Sequence, residues 1–256
     1  MSSVEPKIDP ARVAAVVLAG GAGQRIRHLL NGLPKPMAVA AGRPFVEWIL
    51  RYLRGQGIGR AVLSVGYRAE VIEEYFGGQP VAGLEIRFAR ETEPLGTAGG
   101  FLHATAALAA EARPEWWLVL NGDSLAVVDL GEGLDALAKT ESEAAVFGVA
   151  MADAGRYGTL VCGADGRLER FVEKRPGAGM INAGIYLFHD SLLARFSDRR
   201  PLSFETDVFP SLLTGGQRVQ VIRTEADFLD IGTPETLPQA EHFIQRHTTA
   251  FGAVNN

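Results

Sequence analysis

A chain of 256 residues with 47% hydrophobic and 21% charged side chains has an ordinary globular composition and the length to bury a large core. Its net charge of −5 leaves no basic footprint for nucleic acid or an anionic membrane surface, and no apolar run reaches the length of a membrane span. Cys162 is the only cysteine, which excludes an intrachain disulfide and a cysteine metal cluster and fits a reducing cytoplasm.

Residues 1–11 are polar, carry Glu5 and Asp9, and read as a flexible N-terminus, not a secretory signal. A buried strand over 12–18 then runs into a glycine turn, Gly20, Gly21 and Gly23. Helix 44–56, strand 61–66, helix 69–76, strand 85–89, helix 97–110, strand 116–121, helix 133–140 and strand 144–151 follow in alternation. That rhythm predicts βαβ units and an α/β fold with a Rossmann-like, mostly parallel sheet flanked by helices. Ligands of such sheets sit at the strand carboxyl ends, where both the glycine turn and Asp123 fall. Shorter strands at 157–162, 167–173 and 182–188, with turns such as Ala164-Asp165-Gly166, predict a smaller antiparallel layer covering the cleft. A helix over 234–245, with Thr233 as N-cap and Pro234 at its first position, closes the chain. No linker or repeat divides the chain, so one domain is expected over 12–247, nucleotide-binding over 12–151 and sugar-binding over 152–247, with 248–256 as a tail.

The glycine turn carries the strongest chemistry. Glycine lets the backbone approach a ligand closely, and successive N–H groups can point at one anion. Arg25 adds a planar fork for phosphate oxygens, and Lys35, held between Pro34 and Pro36, adds a point charge on a stiffened backbone. Neither familiar phosphate loop fits: Ile26 stands three residues after Gly23, which breaks G-x-G-x-x-G, and Lys35 follows a proline, which breaks the P-loop pattern. The five histidines show no metal spacing, and no G-x-S-x-G supports serine catalysis.

The stretch Gly20–Met37 resembles the G-G-x-G-x-R…P-K-P pattern of the sugar-1-phosphate nucleotidyltransferases. The likeness continues through Glu93-Pro94-Leu95-Gly96-Thr97-Ala98-Gly99, Asn121-Gly122-Asp123, Glu173-Lys174, Asn182-Ala183-Gly184-Ile185-Tyr186 and Asp230-Ile231-Gly232-Thr233-Pro234, in the family's order and over nearly the whole chain. It implies a glycosyltransferase-A-like nucleotidyltransferase fold and condensation of a nucleoside triphosphate with a sugar 1-phosphate. Arg25 and Lys35 then act on the phosphates, and Asp123 and Asp230 hold Mg2+, which prefers one or two carboxylates and keeps its waters. Asp123 also reads as a helix cap and Asp230 as a turn aspartate. Leu18, Ala19, Gly20, Gly21, Gly23, Glu91, Gly96, Thr97, Asn121 and Gly122 would line the nucleotide. Gly158, Glu173, Lys174, Asn182 and Ala183 would hold the sugar phosphate.

Glu91 points toward GTP, because a carboxylate can accept from the adjacent N1–H and N2–H donors of guanine. Leu33–Met37, Leu63–Tyr67 and Phe228–Glu235 most resemble the short D-glycero-α-D-manno-heptose 1-phosphate guanylyltransferases. A departure is Arg27-His28-Leu29-Leu30, where many relatives carry x-P-L-T. The chain length after Asp230 leaves no room for the left-handed β-helix of larger relatives. A mannose 1-phosphate guanylyltransferase, a glucose 1-phosphate uridylyl- or thymidylyltransferase and an inactive sugar-nucleotide-binding regulatory subunit are the alternatives. The oligomeric state stays open between a monomer and a homo-oligomer.

Overall fold

The computed structural model of the chain describes residues 8–108, 113–140, 142–172 and 176–252. The first strand, β1 (Val13–Ala19), is the axis of the fold. Its alternate residues serve two cores. Val13, Ala15, Val17 and Ala19 pack on one face of the sheet, Ala14 and Val16 on the other. A strand buried on both faces needs an unbroken apolar run, which is what V-A-A-V-V-L-A supplies.

Downstream of β1 a small hairpin, β2 (Val39–Ala40) and β3 (Arg43–Pro44), leads into α1 (Phe45–Gly55). Then come β4 (Arg60–Val65), α2 (Ala69–Gly78), β5 (Glu85–Arg90), α3 (Thr97–Thr105) and β6 (Trp116–Asn121). β6, β1, β4 and β5 lie side by side and parallel. Their carboxyl ends therefore share one edge, and that edge carries the site.

The second half extends the same sheet. It comprises β7 (Ser124–Ala126), α4 (Leu130–Ala138), β8 (Ala144–Met151), β9 (Thr159–Cys162), β10 (Leu168–Val172) and β11 (Gly179–His189). α5 (Phe209–Thr214), β12 (Val219–Thr224), β13 (Phe228–Asp230) and α6 (Ala240–Arg246) complete the order. The antiparallel strands are present as expected. They are joined to the parallel set through β11, which lies antiparallel to β6 with Ile185 opposite Leu120. β8 pairs antiparallel with β11 and parallel with β12, a strand the sequence pattern did not reveal. The β11–β8 register breaks between Asn182 and Tyr186, where Gly184 has φ +70°. Such irregularities re-aim side chains next to sites.

Several boundaries move. α4 begins at Leu130, before the expected 133, because the Asp129 carboxylate caps it by accepting from the Glu132 N–H at 3.0 Å. α3 ends at Thr105; of the expected remainder, residues 109–112 lie outside the described residues. The closing helix is a correction. Residues 234–236 form a turn, and α6 starts only at Ala240, because Pro238 has no N–H for a helical bond and crowds the preceding turn. Residues Thr248–Phe251 form a 3₁₀ turn that packs Phe251 edge-to-face on Trp48 at 5.3 Å, so part of the expected tail belongs to the core. Of the expected flexible N-terminus, residues 1–7 lie outside the described residues, and Pro10–Arg12 form a turn capped by Asp9. No helix among the described residues is long and apolar enough to cross a membrane.

Candidate active site

The carboxyl ends of the parallel strands open into a cleft of about 840 Å³. Leu18, Gly20, Gly21 and Gly23 line it, as do Glu91, Gly96, Thr97, Asn121 and Asp123. Two expected nucleotide contacts sit behind it: Ala19 is fully buried, and the Gly122 N–H donates to the Leu18 carbonyl at 2.9 Å. The three glycines of the turn are glycine for different reasons. A Cβ on Gly20 would stand 2.8 Å from Glu91 Oε1, and one on Gly23, whose φ is +57°, would stand 2.7 Å from Lys35 Cβ. These two make room for neighbouring side chains. A Cβ on Gly21 would meet no protein atom within 4 Å. The turn leads into a 3₁₀ helix, Gln24–Leu29, which with its C-cap Leu30 carries the departing Arg27-His28-Leu29-Leu30 stretch.

Lys35 is the best-held cation. Its side chain is only 8% exposed, and Nζ donates to Asp123 Oδ2 at 2.7 Å and lies 3.6 Å from Asp230 Oδ1. The two aspartates, distant in sequence, meet because β13 pairs with β7 and the Ile231 N–H donates to the Asp123 carbonyl at 3.0 Å. Asp230 combines both sequence readings: Oδ1 takes the Gly232 N–H at 2.7 Å as a turn residue, while its carboxylate also faces the lysine. Arg156, which sequence reasoning missed, lies 3.8 Å from Asp230 Oδ2 and donates to Thr233 Oγ1 at 3.3 Å. Burial, and next the Asp230 charge, push the Tyr157 phenol above the usual tyrosine range. Arg25 is exposed at the cleft and makes no ion pair among the described residues. Two convergent carboxylates around one ammonium group form a hard-oxygen donor set. Among the described residues no cluster of three or more His, Cys, Asp or Glu could hold a metal. The pair fits magnesium, which takes one or two carboxylates and completes its shell with water and phosphate oxygens.

On the other side, Glu91 is held in place. Its Oε1 accepts from the Ser64 hydroxyl at 2.7 Å and its Oε2 from the Leu95 N–H at 3.3 Å. Ser64 is fully buried, and its only sequence signal was a lone hydroxyl inside the apolar run of β4. Tyr67 also lines the cleft, with the Arg27 guanidinium 5.0 Å over its ring. Gly96 has φ +78°, and a Cβ there would strike the Leu202 carbonyl at 2.4 Å. That carbonyl accepts from the N–H groups of Ala98 and Gly99 at 3.0 and 3.1 Å, and Thr97 Oγ1 accepts from the Phe204 N–H at 3.0 Å. A segment from the second half thus grips the start of α3.

Of the expected sugar residues, Asn182 and Gly158 meet: the Asn182 N–H donates to the Gly158 carbonyl at 3.0 Å. Gly184 sets β11 against the end of β6, where a Cβ would stand 2.4 Å from Asn121 Nδ2. The Ala183 side chain packs into the core. Glu173 and Lys174 lie outside the described residues. Tyr186, which touches this group, ends the Asn182–Tyr186 stretch of the resemblance, where it is given no role of its own, and Glu205 beyond it carries no signal in the sequence other than an acid in a turn.

The family model described as Nucleotidyl transferase matches residues 14–247. The mannose-1-phosphate guanylyltransferase of Mycobacterium tuberculosis is 35% identical over 227 residues, which are 88% of this chain and 62% of that protein. The D-glycero-α-D-manno-heptose 1-phosphate guanylyltransferase of Aneurinibacillus thermoaerophilus is 33% identical over 234 residues, 91% of this chain and 99% of its own length. The crystal structure of HddC from Yersinia pseudotuberculosis superposes with a TM-score of 0.80 at 31% identity, covering 90% of this chain and 99% of that one, and HddC complexed with GMP-PN gives 0.79. With that match running from β1 to the end of α6 and the same strand-end cleft at its centre, this chain belongs to the nucleotidyl transferase family.

Proposed function

We propose that the chain condenses GTP with a sugar 1-phosphate to give a GDP-sugar and pyrophosphate. The observation that carries this reading is the meeting, in one cleft, of an open glycine backbone, an arginine without an ion pair among the described residues and a lysine held by two carboxylates. Gly21 needs no glycine for the packing of the protein, which supports close approach of a ligand there.

A phosphate oxygen of the sugar 1-phosphate attacks the α-phosphorus and forms the new P–O bond. The bond from that phosphorus to the oxygen bridging to the β-phosphate breaks, and its electron pair leaves with pyrophosphate. No general base is required, since a phosphate monoester, with a second pKa near ~6, is ionised at neutral pH. The protein orients the two anions and neutralises the charge that develops. Arg25, without an ion pair among the described residues, stabilises the α-phosphate and the departing pyrophosphate. Lys35 contacts the α-phosphate. Asp123 and Asp230 would hold magnesium, which when bound would neutralise the negative charge of the reacting phosphates. By resemblance Glu173, Lys174, Asn182, Ala183 and Gly158 serve the sugar phosphate.

Guanine is supported by the names of the relatives and by Glu91, whose two oxygens each have one donor among the described residues and lone pairs to spare. Heptose 1-phosphate is supported by the relatives that match over nearly their whole length. Mannose 1-phosphate is the second reading, favoured by the 35% identity to the mycobacterial protein, of which the chain spans 62%. An inactive regulatory subunit is disfavoured, because Arg25, Lys35, Asp123 and Asp230 are all present. The lone Cys162 supports a cytoplasmic setting, and the product would supply a surface polysaccharide or glycoprotein.

A pyrophosphate-release screen of nucleoside triphosphates against sugar 1-phosphates tests the reading. The expected best pair is GTP with the heptose; faster turnover of UTP or dTTP with glucose 1-phosphate overturns it. Glu91→Gln sharpens the test. The amide keeps Ser64 satisfied, because that hydroxyl can rotate to accept from it and donate to the Gly100 carbonyl, now 3.2 Å away. The loss then falls on guanine, and kcat/KM for GTP drops about tenfold while UTP and dTTP lose less.

A further inference from the structure

Asn182 does not stand alone. Its Nδ2 donates to the Tyr186 hydroxyl at 2.8 Å, and its Oδ1 accepts from the Gly184 N–H at 3.0 Å. The Tyr186 hydroxyl donates to Glu205 Oε1 at 2.9 Å. Glu205 Oε2 accepts from the Ser203 hydroxyl at 2.8 Å and lies 3.5 Å from the Thr97 hydroxyl. Glu205 sits on a single π-helical turn, Phe204–Val208, a geometry frequent at functional sites.

These bonds have only one consistent direction. A carboxylate only accepts, so the tyrosine proton must point at Glu205. Tyr186 is fully buried, and burial together with the Glu205 charge pushes its phenol well above the usual range, so the proton stays on. With its single proton committed, the phenol oxygen accepts, and the group facing it must be the amide nitrogen of Asn182. Its oxygen then faces the Gly184 N–H. One N–H and one lone pair of the amide are left for a ligand. Sugar hydroxyls can answer both.

We propose that Glu205 is a positioning residue for the sugar 1-phosphate: through Tyr186 it sets which way the Asn182 amide faces, and through Ser203 and Thr97 it ties that amide to the wall of the nucleotide cleft. The inference rests on the reading of Asn182 as a sugar contact. Its logic is directional. A glutamine at 205 can donate as well as accept, so the Tyr186 proton is no longer committed and the amide loses its fixed orientation. A half-determined polar network is worth less than a fully determined one.

The test is steady-state kinetics with GTP and the sugar 1-phosphate varied in turn, on Asn182→Ala, Glu205→Gln, Tyr186→Phe and the double variant Glu205→Gln/Tyr186→Phe. Glu205→Gln preserves shape, so thermal unfolding checks that the fold is kept. The expected result is a rise of about tenfold in the sugar 1-phosphate KM for each single variant, the size of one lost hydrogen bond, with the GTP KM changed less than about twofold. The double variant should be no worse than Tyr186→Phe, because both act through one chain. If Asn182→Ala raises the sugar KM and Glu205→Gln does not, the positioning role is overturned while the sugar site stands. If Asn182→Ala leaves it unmoved, the sugar-site reading falls and takes the proposal with it. Equal losses on both substrates, or additive losses in the double variant, reduce Glu205 to a structural role.

Discussion

The two sides of the cleft are built in opposite ways. The glycine turn presents an open backbone, an exposed Arg25 without an ion pair among the described residues, and a lysine balanced between two aspartates. The Asn182 side presents neutral dipoles with every direction set by a buried chain through Tyr186 and Glu205. The difference follows from the ligands each side is proposed to meet. Phosphates carry charge that moves during transfer, so the groups serving them must have charge in surplus. Hydroxyls are weak and ambiguous partners, each able to donate or accept, so a site that tells them apart must have its own polarity fixed beforehand.

The sharpest test of the charged side is removal of a carboxylate. Asp123→Asn and Asp230→Asn should each cost several kcal/mol of transition-state stabilisation, on the order of 10³ in kcat, measured across a magnesium titration. A normal magnesium dependence in Asp230→Asn would remove Asp230 from the metal site and leave it the Gly232 N–H bond and its ion pairs with Lys35 and Arg156. Arg25→Ala comes next, with about 10²–10³ lost in kcat and the KM for sugar 1-phosphate nearly unchanged, since a transition-state contact does not report on ground-state binding. Because Arg25 is exposed and has no ion pair among the described residues, thermal unfolding should not move, and a lower Tm would give Arg25 a structural role instead.

The buried side should behave in the reverse manner. Tyr186→Phe removes a fully buried hydroxyl and leaves Glu205 Oε1 without its donor, so unfolding free energy should fall by about 1–3 kcal/mol in denaturant titrations. Gly21→Ala meets open space and should leave stability intact, while the KM for GTP rises about tenfold from the loss of one backbone contact. The smallest effect belongs to Arg156→Ala. Its side chain is 47% exposed and 3.8 Å from Asp230, and exposed pairs of this kind contribute little. Less than about threefold in kcat is expected, and a larger loss would enrol Arg156 among the phosphate-handling cations.

What could be read without a structure was whatever repeats locally. The apolar run of β1 and the alternation that follows it announce a parallel sheet. The glycine turn, Pro34-Lys35-Pro36 and Asp123 at a strand end point to the strand-end cleft that they line, because strand ends and glycine turns are short-range features. The closing helix was misplaced because Pro238 outweighs the Thr233-Pro234 start signal, a competition between two local rules. Tertiary structure alone decided the rest. Asp230 meets Asp123 only because β13 pairs with β7. Gly20 and Gly23 owe their identity to Glu91 and Lys35, which no neighbouring sequence reveals. Ser64, Tyr186 and Glu205 acquire meaning only when strands far apart in the chain bring their polar atoms within hydrogen-bonding distance. Hydrogen bonds are short and directional, so which buried polar groups pair is a property of the folded arrangement, whereas the apolar periodicity that drives burial is written along the chain itself.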